Sequence, residues 1–114
     1  GGGAQTRRFV YVEDLADGCV AGLLPQAANR VYNLVGTEDT SILEIAEVVK
    51  DLIGDVDIVH TEGRAGDFRG VEVSHKRAKE ELNWEARVLF KEGVKRYLDW
   101  HLATHEAATE VDAV

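Results

Sequence analysis

Two arginine-bearing stretches hold this chain's best candidates for chemistry. One is Gln5-Thr6-Arg7-Arg8, just before an apolar run. The other is the loop Gly63-Arg64-Ala65-Gly66-Asp67-Phe68-Arg69-Gly70. A guanidinium offers a planar fork of N–H donors that matches the oxygens of phosphates and carboxylates in pairs. Asp67 would add an acceptor for sugar hydroxyls. Ordinary solvated loop charge is the alternative at both places, and the residues alone leave both readings open.

Other reactive side chains offer less. His101 and His105 are four apart, the spacing of two metal ligands on one helix face, but no glutamate follows His101 as a zinc-protease motif would need. Helix-end or solvent-facing histidines are the expectation. Cys19 falls among apolar residues at helical spacing, which predicts a buried, inert thiol. Nothing resembles a P-loop or a GxGxxG dinucleotide loop. Gly1-Gly2-Gly3 precedes an expected strand, whereas a phosphate loop follows a strand and opens a helix. No serine shows a triad partner that the sequence can display.

Composition narrows the class. The chain has 114 residues, 45% hydrophobic and 30% charged, which fits one globular domain. Its net charge of -8 disfavours a nucleic-acid partner, because the long-range field repels a phosphate backbone. An anion could bind only at a local arginine cluster or helix N-terminus. No apolar run reaches the ~18 residues of a membrane span. A single cysteine and no signal-peptide pattern predict a soluble cytoplasmic protein.

The candidates must be positioned by a few elements. Phe9–Val12, Val31–Val35 and Val56–Val59 are β-branched or aromatic and predict strands. Asp14 is expected to cap a helix running to Pro25, which stops it. Ser41 and Glu44 form a capping box that opens a helix over Ile42–Ile53, with Gly54 as its stop. Residues 60–70 predict a polar loop and Val71–Val73 a brief extended piece. Ser74 precedes a short helix over His75–Leu82, and a last helix runs from Phe90 to at least His101. The final EAATEVDAV loses the period and should fray. Alternating strands and helices predict an α/β fold, a short three-stranded, partly parallel sheet with about four helices. So thin a sheet suggests part of a larger body.

In this order and spacing, the segments resemble the extended short-chain dehydrogenase/reductases, the NAD-dependent nucleotide-sugar epimerases and dehydratases of the UDP-glucose 4-epimerase type. Gly3 through Ala16 (GAQTRRFVYVEDLA) is similar to the family's G-x-x-x-R-D-[FY]-[VI]-[YH]-V-x-D-[LV]-A signature. Val31-Tyr32-Asn33-Leu34 with Gly36, Ser41-Ile42 and Glu44-Ile45-Ala46 resembles a second segment. Arg64-Ala65-Gly66-Asp67 resembles an R-x-G-D loop, Glu81-Leu82-Asn83-Trp84 an eLGW turn, and Glu92-Gly93 with Trp100 a terminal motif. Together these span Gly3 to His101.

The resemblance implies an extended Rossmann-type epimerase, of which residues 1–101 would be the substrate-binding C-terminal portion and residues 102–114 a frayed tail. It assigns Arg7 and Arg64 to the diphosphate of a nucleotide-sugar such as UDP-glucose, and Asp67 to a ribose hydroxyl. Dehydratase or decarboxylase chemistry within the family, or a non-catalytic α/β binding module, are the alternatives. NAD would belong to a parent enzyme's N-terminal Rossmann domain, expected to be missing here together with the Tyr-x-x-x-Lys pair. Tyr11, Tyr32 and Tyr97 are followed four residues on by Leu15, Gly36 and His101. The chain alone is therefore expected to be inactive and to self-associate through uncovered apolar surface. It also departs from the family. Arg8 stands where the family has Asp, Ser74 where it has another Asp, Asn83 for the Gly of eLGW, and Ala86 for a Pro.

Overall fold

Four helices and one short sheet order the chain in the computed structural model, which describes residues 1–66 and 72–112 and, for 106–112, the backbone alone. Asp67 and Val71 lie outside the described residues. The helix with the clearest sequence signals is α2, Ile42–Ile53. Its capping box is complete: the Glu44 amide donates to Ser41 Oγ at 3.1 Å and the Ser41 amide donates to Glu44 Oε2 at 2.7 Å. Gly54 closes it at φ 88°, a conformation that favours glycine.

Among the described residues the sheet has two strands, β1 (Thr6–Arg7) antiparallel to β2 (Thr40–Ser41), with Thr6 opposite Ser41 and Arg7 opposite Thr40. This corrects the expected three-stranded, partly parallel sheet. A strand exists only where its N–H and C=O groups find a ladder partner. Residues 9–12 find none, and Val12 instead begins helix α1 (Val12–Ala21). Residues 31–35 are held by side chains: Tyr32 Oη donates to Glu81 Oε1 at 2.9 Å, and Arg77 Nη1 donates to the Val31 carbonyl at 3.2 Å. Residues 56–59 join no strand, and Val59 is 78% exposed.

Helix α1 starts three residues before the expected site because Tyr11, not Asp14, is its N-cap. It ends at Gly22, ahead of a 3₁₀ turn at Pro25–Ala27 whose proline occupies the first turn, where a missing N–H is harmless. Ser74 Oγ accepts from the Lys76 amide at 3.1 Å as helix α3 (Lys76–Leu82) begins. Asn83 ends it in the left-handed region, φ 53°, doing the work of the glycine it replaces. Helix α4 runs Phe90–Asp112. Alanine and glutamate are strong helix formers, and no glycine or proline follows Gly93 within it.

The core is small: Ala27, Ala78, Leu82 and Trp84, with Val10, Ala21, Tyr32, Leu34 and Ala86 packed against it. Gly18 and Gly36 permit close approaches that nothing larger would. A Cβ on Gly18 would stand 2.5 Å from Leu34 Cδ1, and one on Gly36 would stand 1.9 Å from the Phe9 carbonyl oxygen. Helix α1 thus buries a narrow stripe, Asp14 and Gly18, and leaves Cys19 exposed, against the buried thiol expected from its apolar neighbours.

Much apolar surface stays uncovered. Helix α2 has no buried residue at all. Leu23, Val31, Tyr97 and Trp100 are also exposed. The accessible surface is 8695 Å², against about 6,200 Å² for a globular monomer of this mass. The radius of gyration, 17.7 Å, likewise exceeds the ~13 Å of a compact chain this long.

Candidate functional site

The segment leading into β1 builds one wall of a cleft. Gly1, Gly3 and Gln5 face the residues 58–62 and Arg64, with Ile42, Leu43 and Ala46 of α2 as the floor. The Gly1 nitrogen donates to the Thr61 carbonyl, tying the two walls together. The cleft holds about 240 Å³, below the ~300–1,000 Å³ of a complete small-molecule pocket.

The first turn of α2 forms part of this floor, and a helix N-terminus ordinarily attracts anions. Here its amides are already engaged. Ile42 donates to the Gln5 carbonyl at 2.9 Å, Leu43 to the Gly3 carbonyl at 3.0 Å, and Glu44 to Ser41 Oγ. Those bonds fix the segment before β1 along the helix end and leave anion recognition to side chains.

Arg64 lines the cleft and is exposed. Arg7 is half-buried on β1, and its Nη1 donates to the Thr6 carbonyl at 2.8 Å. It is not among the cleft-lining residues but lies two positions beyond Gln5, which is. Alternation along an extended chain puts residues 5 and 7 on one face, about 7 Å apart. The structure therefore brings Arg64 to the segment that carries Arg7. Asp67 falls outside the described residues, three positions after Arg64. Glu62 shares the wall with Arg64, so the cleft is of mixed charge.

A larger cleft of about 490 Å³ lies between the turn before β2, α2 and α4, lined by Glu38, Asp39, Glu44, Glu47 and Asp51 with Lys91. Its charge is wrong for a phosphate. Lys91 Nζ reaches Asp51 Oδ2 at 2.5 Å and holds the Asp51 carboxyl below the usual carboxylate range. The Arg8 guanidinium donates to Asp39 Oδ1 at 2.9 Å, a bond that raises its already high pKa.

Sequence reasoning missed the work of Asp14. Its carboxylate is buried and accepts from two backbone amides, Arg87 at 3.0 Å and Val88 at 2.9 Å, while its carbonyl accepts from Trp84 Nε1 at 2.8 Å. One residue thus clamps the 84–88 loop to α1. An acidic residue that opens a helix looks like a cap, and nothing local signals a partner 73 positions away.

The three leading glycines precede β1 and open no helix, and the amides of the nearest helix N-terminus, that of α2, are taken. The His101 and His105 rings lie 3.9 Å apart between centroids, and among the described residues no group of three or more ligating side chains converges. No described helix is long and apolar enough to cross a membrane.

No protein-family model matches the chain, but individual proteins do. It is 38% identical to UDP-glucuronic acid decarboxylase 1 of Arabidopsis thaliana over 97 residues, 84% of this chain and 22% of that protein. It superposes on UDP-glucose 4-epimerase of Thermotoga maritima, solved with UDP-glucose, with a TM-score of 0.82 and 28% identity, over 91% of this chain and 34% of that one. It also superposes on WbmF of Bordetella bronchiseptica, solved with NAD+ and UDP, with a TM-score of 0.75 and 27% identity, over 97% and 33%. The chain spans about a fifth to a third of the length of such proteins. Its homologues include nucleotide-sugar epimerases and decarboxylases, and it is consistent with a C-terminal part of an extended short-chain dehydrogenase/reductase.

Proposed function

We propose that this chain is the nucleotide-sugar-binding C-terminal part of an NAD-dependent epimerase of the UDP-glucose 4-epimerase type. In this reading Arg7 and Arg64 grip the substrate diphosphate from two sides, and Asp67 accepts from a ribose hydroxyl. The observation that carries it is the single cleft shared by Arg64 and the segment leading into Arg7. The first-turn amides of α2 are engaged elsewhere, and a guanidinium fork matches the oxygens of a dianion in pairs. A UDP-glucuronic acid decarboxylase is similar over 84% of this chain, so the reading extends to decarboxylase or dehydratase chemistry on a nucleotide-sugar.

The chain's own residues bind and orient; they do not transfer hydride. NAD carries that chemistry in enzymes of this kind, and both it and the Tyr-x-x-x-Lys pair are assigned to a dinucleotide-binding portion outside this sequence. The chain alone is then inactive, and its uncovered apolar faces are where that portion packs.

The test is calorimetric titration with UDP-glucose, UDP and uridine. Heat of binding with the two diphosphates and none with uridine is the expected result. Equal affinity for uridine, or no difference between UDP and inorganic phosphate, would sink the diphosphate assignment.

A further inference from the structure

The family resemblance leaves Arg8 unexplained, since it stands where an Asp is expected next to the diphosphate arginine. The geometry gives it a task. The β1–β2 ladder has two rungs, Thr6 opposite Ser41 and Arg7 opposite Thr40. The next antiparallel rung would pair residue 8 with residue 39. In that place a side-chain bond is found, Arg8 Nε to Asp39 Oδ1 at 2.9 Å. The Arg8 side chain is 25% exposed. The other end of the segment is held by the Ile42 and Leu43 amides on the Gln5 and Gly3 carbonyls. Arg7 therefore sits between a backbone anchor before it and an ion pair after it. A two-residue ladder is marginal without such anchors.

We infer that Arg8 is a positioning residue: with Asp39 it locks the end of β1 and so sets the direction in which Arg7 is presented to the diphosphate. This rests on the functional reading of Arg7 given above. Arg8 is not itself a third phosphate contact. Its guanidinium is engaged by Asp39, and alternation along β1 puts residue 8 on the face opposite residue 7. An Asp at position 8 would face Asp39 as a like charge at the same rung, which is destabilising. Arg8 and Asp39 are thus a matched pair.

The experiment measures two readouts in the full chain: amide hydrogen exchange across Thr6–Arg7 and Thr40–Ser41, and affinity for UDP. Four variants are compared, Arg7→Ala, Arg8→Ala, Asp39→Ala and the exchange Arg8→Asp with Asp39→Arg. Arg8→Ala and Asp39→Ala should each speed exchange in the ladder and weaken UDP by up to about fivefold, the upper end for an exposed ion pair. The exchanged pair should recover both readouts to within about twofold. Arg7→Ala should weaken UDP more than either. Native exchange in Arg8→Ala, or no recovery in the exchanged pair, would overturn the positioning role while leaving Arg7 intact. UDP affinity untouched by Arg7→Ala would overturn the functional reading and this role with it.

Discussion

Replacing Asp14 with Ala removes the only side-chain acceptor for two backbone amides, those of Arg87 and Val88. Hydrogen bonds to a charged group contribute about 1.5–3 kcal/mol each. Both amides are partly buried, so water replaces part of each bond, and we take about 1–2 kcal/mol apiece. The expected loss is about 2–4 kcal/mol, a large part of the ~5–15 kcal/mol that holds a domain. Asp14→Asn keeps a carbonyl oxygen at the site and should cost about half as much, because it loses the charge and keeps an acceptor. The assay is urea unfolding. At about 1–3 kcal/mol per molar of denaturant, the Ala variant's midpoint should fall by roughly 1–2 M with an unchanged slope. The Trp84 indole bonds to the Asp14 backbone carbonyl, which both variants retain, so the folded emission should stay native. A loss under ~0.5 kcal/mol for Asp14→Ala, or Asn as damaging as Ala, would refute the clamp.

Three further outcomes follow from the packing. Gly36→Ala should unfold or severely destabilise the chain in a thermal melt, because the added Cβ meets backbone, the Phe9 carbonyl, and not a side chain that can turn away. The Asp51–Lys91 pair links α2 to α4 and depresses the Asp51 carboxyl. A depressed acid contributes stability above its unfolded value, about 3.9, and loses it as pH falls through the lower folded value. Lys91→Ala should therefore be less stable than the parent at neutral pH, with the gap closing below about pH 4 and shrinking in high salt. The uncovered apolar surface should make the chain self-associate in sedimentation, and a monodisperse monomer at high concentration would count against it.

What was legible in the sequence was local. The capping box at Ser41 and Glu44 and the stop at Gly54 depend on neighbours a few residues apart, and each appears as expected, whereas α1 ends at Ala21, before the proline expected to stop it, and Pro25 opens a 3₁₀ turn instead. The left-handed Asn83 belongs with them. The strands were misjudged because β-branched residues report a preference for a pleated, half-buried surface, and not the presence of a partner. Val56–Val59 has the composition without a ladder partner among the described residues, while Thr6–Arg7, polar and unremarkable, pairs with Thr40–Ser41. Cys19 shows the same limit: helical spacing marks an apolar face but not whether anything covers it. For the site, the arginine-bearing stretches were visible as types and spacing, and the common cleft of Gln5 and Arg64 needed coordinates. The Asp14 clamp and the Arg8–Asp39 pair were hidden because each joins residues tens of positions apart.

The measurement that bears most directly on the central claim is UDP-glucose affinity in Arg7→Ala and Arg64→Ala. Each guanidinium that loses a charged hydrogen bond to the diphosphate should weaken binding by about 1.5–3 kcal/mol, roughly tenfold to 150-fold. Each loss should also shrink the dependence of affinity on salt. Both variants weakened to that degree, with uridine unaffected, is the predicted result. Parental affinity in either variant would remove that arginine from the diphosphate and contradict the two-sided grip.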